Sequence, residues 1–553
     1  MKFIFKKGFI IMGSNMSIMS YASSDTQKVL PKTSRSGVLY ASDFKHLDKI
    51  QKSQTQQDVL PRINNARLLL LCPQGGVTFN DSKQCLGTGG PDFGGQLVYL
   101  KSLAPSLRDT GFAAVDIVTR SFEGHMASGQ AFPQEFKQKI EVSESDPNLR
   151  VVRLPCGGNQ FLPKESLWPH LREWTNNIDQ FYRREMQEHY LSGEQGNHYK
   201  EYTPIVTAHY ADAGLAAYLL QRNEGYPFAT MTAHSLGAQK KATFESNGQD
   251  TSQYKFKIRL PAEKRSARSA GALICNSKAE KELQWHASEY KDAVDDAKLH
   301  VVPPGISNAF GQKRNEFNLR KCDTTERKQA SAALQQGLAL LKSERQGLPT
   351  ILMCGRFDRK KGYKEALQAF AQSPELKAKA NIVFLFANAP AILKEPDVYL
   401  KGGAAAYAHE VKQLIEQEQL QDYLVIPDLP QINQTHLSEI YRALSKDCQS
   451  IYCHAAYTEP FGLAILEALS EGMLVAATDN GGAVSILEDG RYGELMDVSN
   501  AKSIESSLLK ILNMPQEDKQ KRQAAGEIKS SDYRWAKTGH DYAQLIDKQL
   551  SSL

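Results

Sequence analysis

The chain has 553 residues, of which 41% are apolar and 23% charged, and its net charge is +5. That length exceeds one ordinary domain, and the composition is that of a soluble globular protein. So small a charge, with no basic stripe carrying stacking aromatics, gives no ground for a nucleic-acid partner.

In chain order, residues 1–62 come first and are polar and rich in Ser, Gln and Lys. They read as an N-terminal extension outside the core. Their first two dozen residues have the outline of a leader, a basic start and a short apolar stretch, but Ser14 and Asn15 interrupt it and no clean small-x-small cleavage site follows. Nowhere does an apolar run approach the ~18 residues of a membrane helix, so no transmembrane segment is expected. From residue 66 short β-branched apolar runs alternate with helical periodicity: ARLLLLC, AAVDIVTR, LRVVRLP, PIVTAHY, FATMTAH, GALICNS and LHVVPPG. Amphipathic stretches such as 96–109 and 212–222 lie between them. Strands that are apolar throughout, rather than alternating, predict a parallel sheet covered on both faces. After Pro303-Pro304-Gly305 and a charged stretch at 311–348 the rhythm restarts with TILMCGR, NIVFLFAN, YLVIPD, SIYCHA and LVAATD. The expected architecture is α/β, two doubly wound Rossmann-like domains at 63–302 and 303–525, with ligands beyond the C-terminal strand ends and a cleft between the domains. The eight cysteines form no CxxC pair and fall mostly in predicted strands, as buried thiols of a reducing, cytoplasmic compartment do.

Several loops that follow strands carry chemistry. In GTGGPDFGGQLVYL, Gly94 and Gly95 precede a helix opening at Gln96, so bare backbone can approach a ligand at a positive helix end, although such a loop can also be a simple turn. In TAHYADAG, His209 stands at the ligand-facing end of its strand, and TAHSLGAQKK repeats that placement with His234, Ser235 and Lys240. In GRFDRKKG, Arg356 and Lys361 lie five positions apart across a strand-to-helix turn, where both can meet one anion. In TEPFGLAILEALSEG, Pro460-Phe461-Gly462 makes a turn, and Gly462 and Leu463 open a helix with unpaired N–H groups. Glu459 sits just outside that helix and Glu467, eight positions on, lies within it. Like charges keep carboxylates off phosphate, so the two glutamates suit hydroxyls, Glu467 the vicinal pair of a ribose, while Arg356 and Lys361 suit a diphosphate. Together they describe a nucleotide sugar.

The Glu459-x7-Glu467 spacing resembles the motif of retaining GT-B glycosyltransferases. DFGGQLVYLKSLA, VDIVTRS, FLPKESLWPH, HYADAG, HSLG, VVPPG, GRFDRKKG, TEPFGLAILEAL and ATDNGGAVSIL narrow the resemblance to the sucrose-phosphate synthase and sucrose synthase group, from about residue 66 to the C-terminus. The resemblance implies that Glu459 bonds the donor hexose and Glu467 the ribose of UDP, that Arg356 and Lys361 steady the diphosphate, and that Gly94 and Gly95 approach it. It further implies that Phe461, Gly462 and Leu463 frame the donor and that His209 lies near the transferred hexose. Gln96, Lys164, Trp168, Lys257 and Arg259 fall to the acceptor side. No metal or other cofactor is implied beyond the nucleotide sugar, and residues 526–553 resemble the helix that crosses back to the first domain. The chain also departs from the pattern: Phe93 replaces a threonine, Gly158-Asn159-Gln160 a basic run, and Ala238 an arginine. Those losses leave the acceptor open between fructose 6-phosphate and free fructose, another sugar phosphate or a glycan. A silent sugar-nucleotide-binding protein is the reading from another class, although the four charged donor-side residues are all present.

Overall fold

Fourteen strands build two sheets in a computed structural model that describes residues 63–64, 66–79, 95–125, 131–191, 204–246, 250–311, 325–400, 402–430, 432–446 and 449–551. Residues 1–62, Gly94, Cys85, Cys322 and Cys448 lie outside the described residues. The first sheet contains β1 (Arg67–Leu71), β2 (Ala114–Arg120), β3 (Ile140–Val142), β4 (Leu149–Leu154), β5 (Ile205–His209), β6 (Phe228–Thr232), β7 (Ala272–Cys275) and β8 (Leu299–Val301). Their order is β3-β4-β2-β1-β5-β6-β7-β8, and every pairing except β3–β4 is parallel. The second sheet contains β9 (Thr350–Cys354), β10 (Asn381–Leu385), β11 (Leu424–Val425), β12 (Ile451–His454), β13 (Leu474–Thr478) and β14 (Glu494–Met496), in the order β11-β10-β9-β12-β13-β14, all parallel.

The alternation of a strand's side chains explains the unbroken apolar runs. Along β1, Leu69 and Leu71 enter one core with Trp174 and Val206, while Leu68 and Leu70 enter the opposite core with Leu100 and Leu103. Along β9, Ile351 and Met353 face Phe384, whereas Leu352 faces Tyr452 and Leu466. Both sheets therefore carry a core on each face, as the sequence predicts. The expected helices at 96–109 and 212–222 are observed at Gly95–Arg108 and Ala211–Glu224. Two strands lie outside the sequence reading. β3 is a three-residue antiparallel edge with Ile140 and Val142 largely exposed, and β14 is equally short. Neither forms an unbroken apolar run, since Glu141 interrupts β3 and Glu494 opens β14.

The chain leaves the first sheet through Pro303–Ile306 and the C-terminal helix Trp535–Leu550 comes back to the same place. Tyr533 accepts from the Ile306 N–H at 3.0 Å, and a Cβ on Gly305 would lie 2.2 Å from the Trp535 nitrogen. The returning helix lies against Gly95–Arg108, where a Cβ on Gly539 would lie 2.7 Å from the Ser106 carbonyl oxygen. Its Tyr542, fully buried, shares hydrogen bonds with the Tyr99 hydroxyl at 2.8 Å and the Thr232 hydroxyl at 2.5 Å. No helix among the described residues is long and apolar enough to cross a membrane.

Replacing Tyr542 with Phe keeps the ring and strands two buried hydroxyls. The expected cost is about 1–3 kcal/mol, read as a lower denaturant midpoint with an unchanged slope.

Candidate active site

Both sheets reverse their strand order once, and the loops leaving the strands at that point diverge to leave a crevice. In the second sheet the reversal lies between β9 and β12. The loop after β9 carries Gly355-Arg356-Phe357-Asp358 and the short helical turn Arg359–Lys361, with the Asp358 side chain capping it through the Lys360 N–H at 3.0 Å. The loop after β12 carries Tyr457 to Gly462 and leads into the helix Leu463–Ser470.

These loops are locked together through backbone. Gly362 has φ 66°, and a Cβ there would lie 1.8 Å from the Ala455 carbonyl oxygen. The Tyr457 N–H donates to the Lys360 carbonyl at 3.0 Å. On the other side, Glu459 donates its N–H to Asn480 at 3.2 Å and accepts from the Gly482 N–H at 2.7 Å. A Cβ on Gly482 would fall 2.1 Å from the Phe461 carbonyl oxygen. Three loops distant in sequence thus form one surface, and only glycine fits where their backbones touch.

On that surface the Lys361 ammonium meets Glu459 Oε2 at 2.9 Å, and His454 Nε2 meets the same oxygen at 2.9 Å. Burial pushes the Glu459 carboxyl up, but Lys361, with His454 behind it, more than offsets this and holds it well below the usual carboxylate range. The sequence reading sends Lys361 to phosphate beside Arg356. In the structure Lys361 lies on Glu459, since a carboxylate only 15% exposed draws the nearest cation. Arg356 is exposed and makes no ion pair with a described residue.

Glu467 is in the opposite condition. It is 8% exposed, its carboxylate has no hydrogen-bond donor among the described residues, and burial raises its pKa to about 7. Phe461 is buried and packs 6.0 Å from the Tyr533 ring, while Gly462 caps the helix with φ 109°. Leu463 is half-buried at its first turn.

In the first sheet the reversal lies at β1, between β2 and β5. Gly95 opens the helix after β1, and Gln96 Nε2 donates to the His209 carbonyl at 3.0 Å. His209 is fully buried. Its Nδ1 lies 3.1 Å from His234 Nε2, and its own Nε2 has no partner among the described residues. Burial lowers both imidazoles, His209 strongly and His234 to about 3, so the pair is neutral.

Beyond it lies a hollow lined by Lys164, Glu165, Trp168, Tyr210, Asp212, Tyr254 and Arg259. Lys164 Nζ stands 5.5 Å from the Tyr210 ring centroid, and the Arg259 guanidinium 4.5 Å from it. Arg259 is fully engaged, donating to Tyr210 Oη at 2.5 Å, to the Ser235 carbonyl at 2.6 Å and to Glu263 at 2.8 Å. Lys257 does not join it. Two residues apart on the helix Phe256–Ser269, the two side chains leave on different faces, and Lys257 is exposed. The cation that does converge is Lys240, which the sequence reading placed at a strand end beside His234 without giving it an acceptor role. Lys240 Nζ stands 4.4 Å from the Tyr254 ring centroid, and burial, then Lys164 and Arg259, lower its pKa to about 7. From the second half of the chain, Lys360 Nζ reaches to 5.0 Å from the Phe244 ring. The doubled lysine of TAHSLGAQKK is the sequence signal for Lys240.

Residues 342–528 match the family of glycosyl transferases group 1. Over 481 residues the chain is 31% identical to a probable sucrose-phosphate synthase of Thermosipho melanesiensis, covering 86% of this chain and 95% of that one. The chain belongs to the sucrose-phosphate synthase family. It is also 27% identical over 466 residues to sucrose-phosphate synthase 4 of Arabidopsis thaliana, covering 76% of this chain but 42% of that longer protein. The solved sucrose-phosphate synthase of Thermosynechococcus elongatus matches with a TM-score of 0.63 at 19% identity, over 88% of this chain and 100% of that one, which shows the GT-B fold. Membership of this family makes the chain a hexosyltransferase.

Glu467 gives this site a stability signature. A carboxyl whose folded pKa of about 7 exceeds its unfolded value destabilises the fold as pH rises between the two. Glu467→Gln is therefore expected to be more stable than the parent at pH 8, by roughly 1–3 kcal/mol, with the difference vanishing at pH 4–5. Denaturant midpoints at the two pH values measure it.

Proposed function

We propose that the chain transfers glucose from UDP-glucose to fructose 6-phosphate with retention of configuration, giving sucrose 6-phosphate and UDP. The observation that carries this reading is the meeting of cations and hydroxyl-binding carboxylates at one switch point, Lys361 on Glu459 with Glu467 unpaired in the adjoining helix. Few ligands other than a nucleotide sugar ask for both. Glu459 accepts from hexose hydroxyls, and Glu467 from the ribose pair. Arg356 and Lys361 take the diphosphate, with Gly94, Gly95 and the N–H groups of Gly462 and Leu463 beside it; Phe461 frames that end of the donor. The anomeric C–O bond breaks with its electron pair leaving on UDP, and the acceptor oxygen forms the new bond on the same face. Its proton passes to the departing phosphate oxygen. Charge accumulates on the diphosphate as this happens, so preorganised cations act where it develops, and no metal or other cofactor is required. A carboxylate nucleophile of the glycosidase kind is not needed. His209, neutral and buried, lies near the transferred hexose. Domain closure keeps water from the reacting carbon, where hydrolysis competes.

For the acceptor, Gln96, Lys164 and Trp168 line one side, and Arg259 contributes its field through Tyr210. Lys240, rather than Lys257, is the mobile cation for the phosphate. Lys164 and Arg259 line the hollow with Glu165 and Asp212, and Lys240 beside Tyr254 and Lys360 beside Phe244 tip the balance to positive, which supports a phosphorylated acceptor over free fructose. That balance offsets the departures at Gly158-Asn159-Gln160 and Ala238.

UDP release from UDP-glucose, with fructose 6-phosphate, fructose or neither, tests the assignment. Stimulation by fructose 6-phosphate alone is expected. Slow release indifferent to both sugars would keep the donor chemistry and discard this acceptor. Glu459→Ala and Lys361→Ala are each expected to lower turnover at least ~100-fold without unfolding the protein, and parental turnover in either sinks the site. Because Lys240 loses its proton near pH 7 when unliganded, binding a phosphate above that pH must first reprotonate it. The acceptor KM should therefore climb from pH 7 to 9, and Lys240→Arg should flatten the climb while leaving the KM for UDP-glucose unchanged.

A further inference from the structure

His454 ends β12 and is 4% exposed. Its ring nitrogens have separate partners, Nε2 at 2.9 Å from Glu459 Oε2 and Nδ1 at 3.0 Å from the Tyr452 hydroxyl. A carboxylate can only accept, so Nε2 carries the proton. Burial lowers the His454 pKa against the pull of Glu459, and in the neutral ring Nδ1 is then an acceptor. Tyr452, fully buried, donates to it. Lys361 donates to that same Glu459 oxygen, while no described residue donates to Oε1. One oxygen thus has two donors and the other none.

We infer that His454 is a positioning residue: the Tyr452–His454 pair pins Oε2 of Glu459 and presents Oε1 to a hydroxyl of the donor hexose, freeing Lys361 to turn onto the diphosphate. The inference rests on reading Glu459 as the hexose-binding carboxylate. The two donors are unlike in the way this requires. Lys361 is 27% exposed at the end of a flexible stem and can change partners. His454 is tied at both nitrogens. Without it, a Lys361 that moved to phosphate would leave a largely buried carboxylate with no donor and no fixed rotamer. A neutral donor also leaves the full charge of Glu459 available to the hydroxyl.

The test compares His454→Leu and His454→Gln with the parent, measuring kcat for UDP release and, separately, the Kd for UDP alone. His454→Leu is expected to lower kcat at least ~30-fold while the Kd for UDP stays within ~3-fold. His454→Gln, which retains an N–H donor, should recover most of the loss. On the UDP-deoxyglucose for which Glu459→Ala costs nothing further, the His454→Leu penalty should vanish. In parent protein with 15N-labelled histidine, the resonances absent from His454→Gln should report a neutral ring protonated at Nε2. Parental kcat in His454→Leu, an equal penalty on the deoxy donor, or protonation at Nδ1 would each overturn the proposal, and the labelled parent decides it even where the leucine variant does not fold. A fully active Glu459→Ala would instead remove the reading beneath it, so the two failures are told apart.

Discussion

Reversal of strand order is the constraint on which the rest of this molecule depends. A parallel sheet buries both faces under helices and leaves ligands only its strand ends. Where neighbouring crossovers run to opposite faces, the loops part and leave room. In the second sheet β9 and β12 meet there, and their loops carry Lys361 and Glu459. In the first sheet β1 and β5 meet there, and Gln96 touches the His209 carbonyl. Residues 98 positions apart in the first case and 113 in the second are brought within 3 Å by topology alone. The glycines then refine that placement, since Gly362 and Gly482 let loop backbones touch where any Cβ would overlap a carbonyl oxygen.

The two glutamates on that surface show how one helix entrance makes two different carboxylates. Glu459 precedes the helix and meets a cation and an imidazole, so burial is outweighed and it stays ionised. Glu467, about one turn past the helix start, faces an interior of Cys354, Tyr441 and Tyr452 and finds no donor among the described residues. An unpaired buried carboxyl costs stability, and the fold bears that cost at a position where a ligand with paired hydroxyls would repay it. A site that bound nothing would gain by replacing it with an apolar residue, which is the physical case for a ligand at this position.

Much of this was legible in the sequence because strands buried on both faces read as unbroken apolar runs. All twelve runs read as strands contain one, and Arg356, Lys361 and Glu459 fall in the segments between those strands and the next long helices, with Glu467 in the helix that follows Glu459. What escaped was of two kinds. β3 and β14 each contain a glutamate, Glu141 and Glu494, and so form no unbroken apolar run. The other kind was side-chain direction. Lys257 and Arg259 look like a pair on paper, yet a helix turns them to different faces, and Arg259 is consumed by Glu263, Ser235 and Tyr210. Lys240 belongs to the cluster because its own helix, Gly237–Ser246, aims it at Tyr254. His454 carried no signal, being one more residue at the end of an apolar strand whose partner lies five positions on across a turn.

The cations on the hollow have a further consequence. Lys164, Lys240 and Arg259 come from the first half of the chain and Lys360 from the second, and each of the other three depresses Lys240. Glu165 is the one acid acting in the opposite direction among the groups that shift it. Arg259 is already paired with Glu263, so the repulsion is among Lys164, Lys360 and a partly protonated Lys240, and Glu165 and Asp212 on the same hollow offset part of it. A dianionic acceptor would reverse the sign of that term, turning repulsion across the cleft into attraction through the ligand. Lys360 and Lys361 are adjacent on one short turn, the first directed at the acceptor hollow and the second at Glu459. On the proposed function, charge arriving on the acceptor side would lie a single peptide unit from the lysine assigned to the donor. On the same proposal, an uncharged acceptor would leave that repulsion in place, so acceptor charge as well as acceptor shape would bear on binding at the hollow.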